Sequence, residues 1–521
     1  MVLAAAVTAH AEVQLPRVIG NNMVLQRDMP LQIWGWDEAG QEVTVSLGEA
    51  SATAKAGKNG KWLVTLPAQK AGGPHSVLIS GSSKVELRDV MIGEVWVCSG
   101  QSNMEVTSAY CMIHPEHMPR DFDQIDVPRI RQLWLPTIMA EKPLGDDSVA
   151  EGITVVGKKS EQRKAVLMPR PPDRADTVRF RGDGWQTSGF YSQVGYWFAR
   201  RVYKDLHVPI GLIHSSWGGS PVESWIPSEA MAQIKDLPMG PLTHQPHFRS
   251  SVIYNGMIHP LLPYTIRGAI WYQGESNGYE GDSYVQKKRT LIEGWRKVWG
   301  QGDFPFYFVQ LPNYIAHGLQ PPFPQDTDPK GGDGWARIRE AQSKAAASIK
   351  NTGMAVTIDV GEEGNIHPNN KIDVGRRLAL WALAKDYGVK DLVYSGPTFQ
   401  SMKTVGKTVE LTFAHVGGGL MAAKKESARS TEMPKPVDKL DGFAVAGADQ
   451  KWHWADAVIK DDKVVVSSDK VAQPVAVRYA FSKNPHGNLY NREGLPTSPF
   501  RTDSWKFVRY TDHTLGSIAP E

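Results

Sequence analysis

Four short stretches hold residue types that can do chemistry together. Ser102 lies in CSGQSNME, and Gly218 and Gly219 lie in SSWGGSPVESW. Gln273, Glu275 and Asn277 fall in YQGESN, and His367 falls in DVGEEGNIHPNNK. A serine hydroxyl is a weak nucleophile until a base takes its proton. Histidine titrates near neutrality and suits that task. Attack on an ester carbonyl creates a negative oxygen, which backbone N–H groups and a side-chain amide can meet. Removing one such donor typically slows a reaction on the order of 10²–10³-fold. The set therefore points to acyl transfer. Taken singly, each piece has a plainer reading: Ser102 as a helix cap, Gly218-Gly219 and His367-Pro368 as turns, Glu275 as the partner of a buried donor. The GxSxG signature is absent, because the serine stands in GQSNM, which argues against an α/β-hydrolase nucleophile elbow.

Strands must bring these stretches together. From about residue 91 to 388, strand-like runs alternate with helical ones. GEVWVCSG, PIGLIHSS, IRGAIWYQG, PFYFVQL and MAVTIDVG read as parallel strands. YSQVGYWFARRVYKDL, SYVQKKRTLIEGWRKVWG, ARIREAQSKAAASI and NKIDVGRRLALWALAKDYG have helical periodicity. This alternation predicts an α/β sheet covered on both faces. Ligands of such sheets bind beyond the carboxyl ends of the strands, and all four chemical stretches follow strand exits. Residues 12–90 read as an N-terminal β-sandwich with turn signals at GKNGK and KAGGPH. Residues 389–521 read as a C-terminal β-rich module. Residues 140–187 interrupt the α/β pattern with polar, Pro-rich text and read as a surface insertion, and 226–252 as a long loop.

Bulk properties narrow the class. The 521 residues, 41% hydrophobic and 22% charged, fit about three globular domains at roughly 150 residues each. A formal charge of +3 gives no reason to expect nucleic acid or an anionic membrane as partner. No stretch approaches a membrane span. The 17 tryptophans suit a core and also the stacking faces of sugar sites. Two cysteines, Cys98 and Cys111, exclude a disulfide framework and a cysteine zinc site; one bridge or two buried thiols both fit. His114, His117, His244, His247 and His259 lack helical metal-ligand spacing, so neither a metal nor another cofactor is expected. VLAAAV, with AHA before Glu12, reads as a secretory-signal remnant over residues 1–11, and implies a secreted or periplasmic protein.

The blocks VWVCSGQSNME, SSWGGSPVESW, YNGMIHPLLPYTIRGAIWYQGESN and NIHPNNKIDVGRRLALWAL, with the ending VRYAFSKNPHGNLYNREGLPTSPFRTD, closely resemble the sialate O-acetylesterase family of the SGNH-hydrolase superfamily. The resemblance covers most of the chain except 140–187. It implies a flavodoxin-like three-layer α/β domain flanked by β-sandwich modules. It also implies Ser102 as nucleophile, His367 as general base and acid, and an oxyanion hole from Ser102 N–H, a glycine, with Gly219 ahead of Gly218, and a side-chain amide, with Asn277 ahead of Gln273; Gln273 and Glu275 are then expected to face substrate. The superfamily commonly carries an aspartate three residues before the histidine, and some relatives carry it two before; here those positions are Gly364 and Asn365. The orienting group is then a backbone carbonyl, in a Ser–His dyad, or a nearby carboxylate, with Asp359 ahead of Glu362 and Glu363. Arg337 and Arg339 in WARIREAQ hold either the fold or substrate. His259 either lines the cleft or braces it.

The implied activity is removal of acetyl groups from sugar hydroxyls. The substrate is an O-acetylated carbohydrate, either a sialic acid or a plant oligosaccharide or polysaccharide such as xylan or xyloglucan. A different class of reading, prompted by the altered acid position, is a carbohydrate-binding protein with a decayed site. The oligomeric state is not legible.

Overall fold

One strand, Lys84–Gly100, runs through two parts of the molecule. The computed structural model describes residues 12–107, 128–145, 166–167, 184–187, 191–237, 246–278, 280–316 and 328–506. The first half of the long strand pairs antiparallel with Gly72–Ser80, which pairs in turn with Glu42–Leu47. Leu31–Trp36 and Lys61–Leu66 form a separate antiparallel pair. These are the strands of the expected N-terminal sandwich, and the burial of Lys61–Leu66 alternates strictly, as one core-facing side requires. The second half of Lys84–Gly100 is the central strand of the α/β sheet. The boundary expected at 90/91 therefore falls inside a continuous strand.

The central sheet runs Trp185–Gln186, Ile130–Trp134, Ile210–Ser216, Lys84–Gly100, Gly268–Tyr272, Phe306–Val309, Thr352–Ala355. All neighbours are parallel except the edge strand Trp185–Gln186. Without the two outer strands at that edge, the order is the flavodoxin-like 2-1-3-4-5. Helices cover both faces. Trp96 meets Phe198 of helix Gln193–Leu206, which packs against helix Lys371–Lys385. Trp271 meets Trp295 of helix Asp282–Trp299, which packs against helix Gly334–Ser348. Burial on both faces explains why VWVCSG reads as an unbroken apolar run rather than an alternating one. Three of these four helices start where a side-chain cap is encoded: Ser192 accepts from Gly195 N, Asp333 from Ala336 N and Asn370 from Asp373 N.

The expected surface insertion is corrected at both ends. Trp185 is buried as part of the sheet edge, and Ala140 and Leu144 bond to the main chain of Val252 and Asn255. Most of its middle, like residues 1–11, Cys111, His114, His117 and His244, lies outside the described residues. Cys98 is a free thiol, buried in the central strand. Residues beyond 389 form antiparallel sheets around a core including Val409, Leu411, Val464, Val477 and Leu489. Among the described residues no helix is long and apolar enough to cross a membrane.

Candidate active site

Three strand ends lie side by side at the point where the strand order reverses. Gly100 closes the central strand at φ +133, with its α-carbon tight against the backbone of Tyr272, a place and conformation open only to glycine. Gln101 N then donates to Tyr272 O at 2.9 Å, and Trp217 N to Gly100 O at 3.0 Å. These bonds lace the serine segment to both neighbouring exits. Ser102 is the first residue of the short helix Ser102–Glu105. His367 arrives from the loop after Thr352–Ala355, and its Nε2 lies 2.8 Å from Ser102 Oγ. Residues far apart in sequence thus meet in hydrogen-bonding contact, both half-buried.

The two glycines behave differently. Gly218 N donates to Glu105 Oε2 at 2.9 Å, and a side chain at Gly218 would lie 3.3 Å from Ser102 Cβ. Gly219 adopts φ +76, and among the described residues no group takes its N–H or that of Ser102. Ser276 Oγ holds Gly219 O at 2.8 Å.

Much of the YQGESN block turns inward, and the expectations for Asn277 and Gln273 are corrected there. Asn277 is fully buried, and its amide donates to Glu223 at 3.1 Å and Glu280 at 2.8 Å. Its Oδ1 accepts from Val222 N and Gln273 Nε2. Both amide hydrogens are committed to a buried cluster closed by Lys287, so Asn277 is not free to donate to an oxyanion. Gln273 is fully buried between Asn277 and Tyr284, so it does not face substrate. Glu275 is half-buried: its Oε1 accepts from Asn103 Nδ2 at 2.6 Å, while its Oε2 has no hydrogen-bond partner among the described residues. Burial raises the Glu275 carboxyl above its ordinary range, against the lowering effect of Asn103.

Asp359 is also corrected. Its two oxygens take Arg377 at 2.6 and 2.8 Å, a bidentate clamp inside the fold rather than an orienting acid for imidazole. Glu362 accepts from Asn369 and Arg429. Asn365, where some relatives carry an acid, clamps the main chain of His367: Oδ1 accepts from His367 N and Nδ2 donates to His367 O.

Several contributing residues escaped sequence reasoning. Asn103 Nδ2 also donates to Ile366 O at 2.9 Å, and Lys371 Nζ donates to Asn103 Oδ1 at 2.6 Å and to Pro368 O. Asn103 therefore joins the serine, glutamate and histidine segments. Its signal was its place beside Ser102 in GQSN. His247 stacks flat on Trp217, with centroids 4.8 Å apart, and Phe248 stands nearest the space beside Gly219. Burial pulls the His247 pKa down to about 4, so this wall is neutral at pH 7. His259 braces Leu144 O. Arg339 is buried on the main chain of Pro312 and Ser482, which settles its role as structural. Among the described residues no group of three or more His, Cys, Asp or Glu is placed to hold a metal.

Residues 170–384 match a family described as carbohydrate esterase, sialic acid-specific acetylesterase. The sialate O-acetylesterase of Homo sapiens is 32% identical over 73% of this chain and 72% of its own length. That of Rattus norvegicus is 30% identical over 76% and 78%. A crystal structure of a carbohydrate acetylesterase from Xanthomonas citri superposes with TM-score 0.76 at 34% identity, covering 95% of this chain and all of that one. The chain belongs to the sialate O-acetylesterase family, and with it to the carbohydrate esterases, hydrolases of carboxylic esters.

Proposed function

We propose that this protein removes acetyl groups from sugar hydroxyls through an acyl-enzyme on Ser102. The observation that carries the reading is the 2.8 Å Ser102 Oγ to His367 Nε2 contact at the crevice of the sheet. His367 Nε2 takes the serine proton as Oγ attacks the acetyl carbonyl carbon. The N–H groups of Ser102 and Gly219 meet the developing oxyanion. Collapse of the tetrahedral species breaks the bond to the sugar oxygen, which leaves with the proton carried by His367. Water, deprotonated by the same imidazole, then attacks the carbonyl carbon of the acetyl-serine; the bond to Oγ breaks, Oγ regains its proton from His367, and acetate leaves. Asn365 fixes the main chain that carries the imidazole, and Asp359, clamped by Arg377, is not the orienting acid.

Acetate release from 4-nitrophenyl acetate, O-acetylated sialic acid and acetylated xylan and xyloglucan tests the reading. Ser102→Ala and His367→Ala are each expected to lower kcat by roughly 10⁴–10⁶, as loss of a nucleophile or its base does elsewhere. Undiminished turnover by Ser102→Ala would refute it. The apolar run VLAAAV followed by AHA supports export from the cytoplasm; fractionation of expressing cells, with activity recovered from the cytoplasm alone, would count against it.

A further inference from the structure

A second concavity lies where the C-terminal module meets the segment that leads into helix Gly334–Ser348. It encloses about 280 Å³, room for a sugar ring, and its lining includes Asp328, Asp441, Trp454, Ser482 and His486. Trp454 stands on Trp452–Trp454, the edge strand of a four-stranded sheet. Residues two apart on a strand share a face, yet the two tryptophans differ. Trp452 is 8% exposed, beneath Arg478 at 4.1 Å and beside Trp505. Trp454 is 47% exposed. A large indole left open at the mouth of a cavity is a surface waiting for a flat apolar partner.

The polar lining defines that partner. Ser482 is only 6% exposed, and its Oγ has no hydrogen-bond partner among the described residues, an omission that a bound group would repair. Arg478 is paired with Asp503 at 2.9 Å, which offsets its charge. Asp441 pairs with Lys439 on the surface. What remains is acceptor-rich: the carboxylate of Asp328, the second oxygen of Asp441, a hydroxyl and an imidazole around an aromatic plate. Carboxylates accept hydrogen bonds from sugar hydroxyls and repel an anionic sugar. The wall is also tied to the catalytic loop. Asn484 accepts from Asn313 Nδ2 at 2.8 Å, and Asn313 packs on Gly361 in the segment leading to His367.

We propose that this cavity is a neutral-glycan subsite, in which Trp454 stacks on a sugar ring and Asp328, Asp441 and Ser482 take its hydroxyls. The choice of ligand rests on the carbohydrate esterase reading; the geometry does not. The occupant is an unacetylated stretch of an oligomeric or polymeric substrate, which places neutral polysaccharides ahead of sialic acids as the material this protein grips.

Calorimetric titration of the full-length Ser102→Ala protein with xylohexaose, a xyloglucan heptasaccharide and sialyllactose tests this without turnover. Binding of a neutral oligosaccharide is expected. Trp454→Ala is expected to weaken it by about tenfold or more, as loss of a stacked anchor does, and Asp441→Asn to weaken it to a smaller degree. In the protein with Ser102 intact, Trp454→Ala should leave turnover of 4-nitrophenyl acetate unchanged and raise KM only on acetylated polysaccharide. No neutral-sugar binding at millimolar concentration, preference for sialyllactose, or equal binding by Trp454→Ala in a protein of unchanged melting temperature would each overturn the proposal. An inert esterase that still binds xylohexaose through Trp454 would instead sink the proposed activity and leave the subsite standing.

Discussion

Asn277 and Gly219 make opposite predictions, and together they locate the oxyanion donors. Asn277→Ala strips a donor from Glu223 and Glu280 and an acceptor from Val222 N and Gln273. Each orphaned buried group costs about 1–3 kcal/mol, so a lower denaturant midpoint is expected, with kcat of the folded fraction close to wild type. Gly219→Ala places a side chain at φ +76 towards Phe248 and displaces a free N–H. It should lower kcat by about 10²-fold at a stability cost of about 1–2 kcal/mol. If the two results exchange places, the donor assignment is wrong. Ser102 and His367 were legible because each ends a strand or its loop in a polar stretch that can only face the crevice. Gln273 and Asn277 were misread for a definite reason. Sequence shows that a residue is polar but not whether its partner is a ligand or a buried group, and Lys287, which closes the cluster, sits in an ordinary helical pattern.

The helix carrying Lys287 holds a second buried cation with a measurable consequence. Lys288 Nζ has no hydrogen-bond partner among the described residues and faces the rings of Phe308 at 4.4 Å and Trp271 at 4.9 Å. Burial holds its pKa well below the ordinary lysine value. Below the unfolded pKa, the unfolded chain therefore binds a proton that the folded chain resists, so stability falls as pH drops from about 10.4 towards neutrality. Lys288→Met removes that penalty. It should raise the melting temperature at pH 7 and flatten its rise between pH 7 and 10. A lower melting temperature with the slope intact would mean that the rings hold a charged ammonium instead. At this scale the sequence was most readable: the four expected helices and four of the five expected parallel strands form, while the fifth is shifted to Thr352–Ala355, so that only Met354 and Ala355 of MAVTIDVG belong to it and the rest is the loop leading to His367. The edge strand Trp185–Gln186 did not announce itself, because two residues carry no periodicity and its partner Ile130–Trp134 lies far along the chain.

Across the whole molecule, the C-terminal module supports the histidine side of the active site. Lys425 reaches Asp373, in the first turn of the helix after His367, at 2.6 Å, and Arg429 reaches Glu362 at 3.0 Å. Both residues of the first pair are largely buried. Lys425→Ala removes the ion-pair partner of Asp373, leaving its Oδ2 with only the Asn370 amide, and should cost about 3–5 kcal/mol while lowering kcat, because the capped turn anchors the His367 loop. Denaturant unfolding with acetate release as a parallel probe checks it; a catalytic domain that melts independently of the module would contradict the coupling. The strand Lys84–Gly100 has a similar reach at the other end. A peptide that belongs to two sheets at once offers neither a protease-sensitive seam nor a swivel. Force applied to the N-terminal sheet is carried as shear along seventeen residues of main chain to the residue before Gln101, so the N-terminal module acts as a fixed handle on the nucleophile's backbone rather than as a tethered appendage.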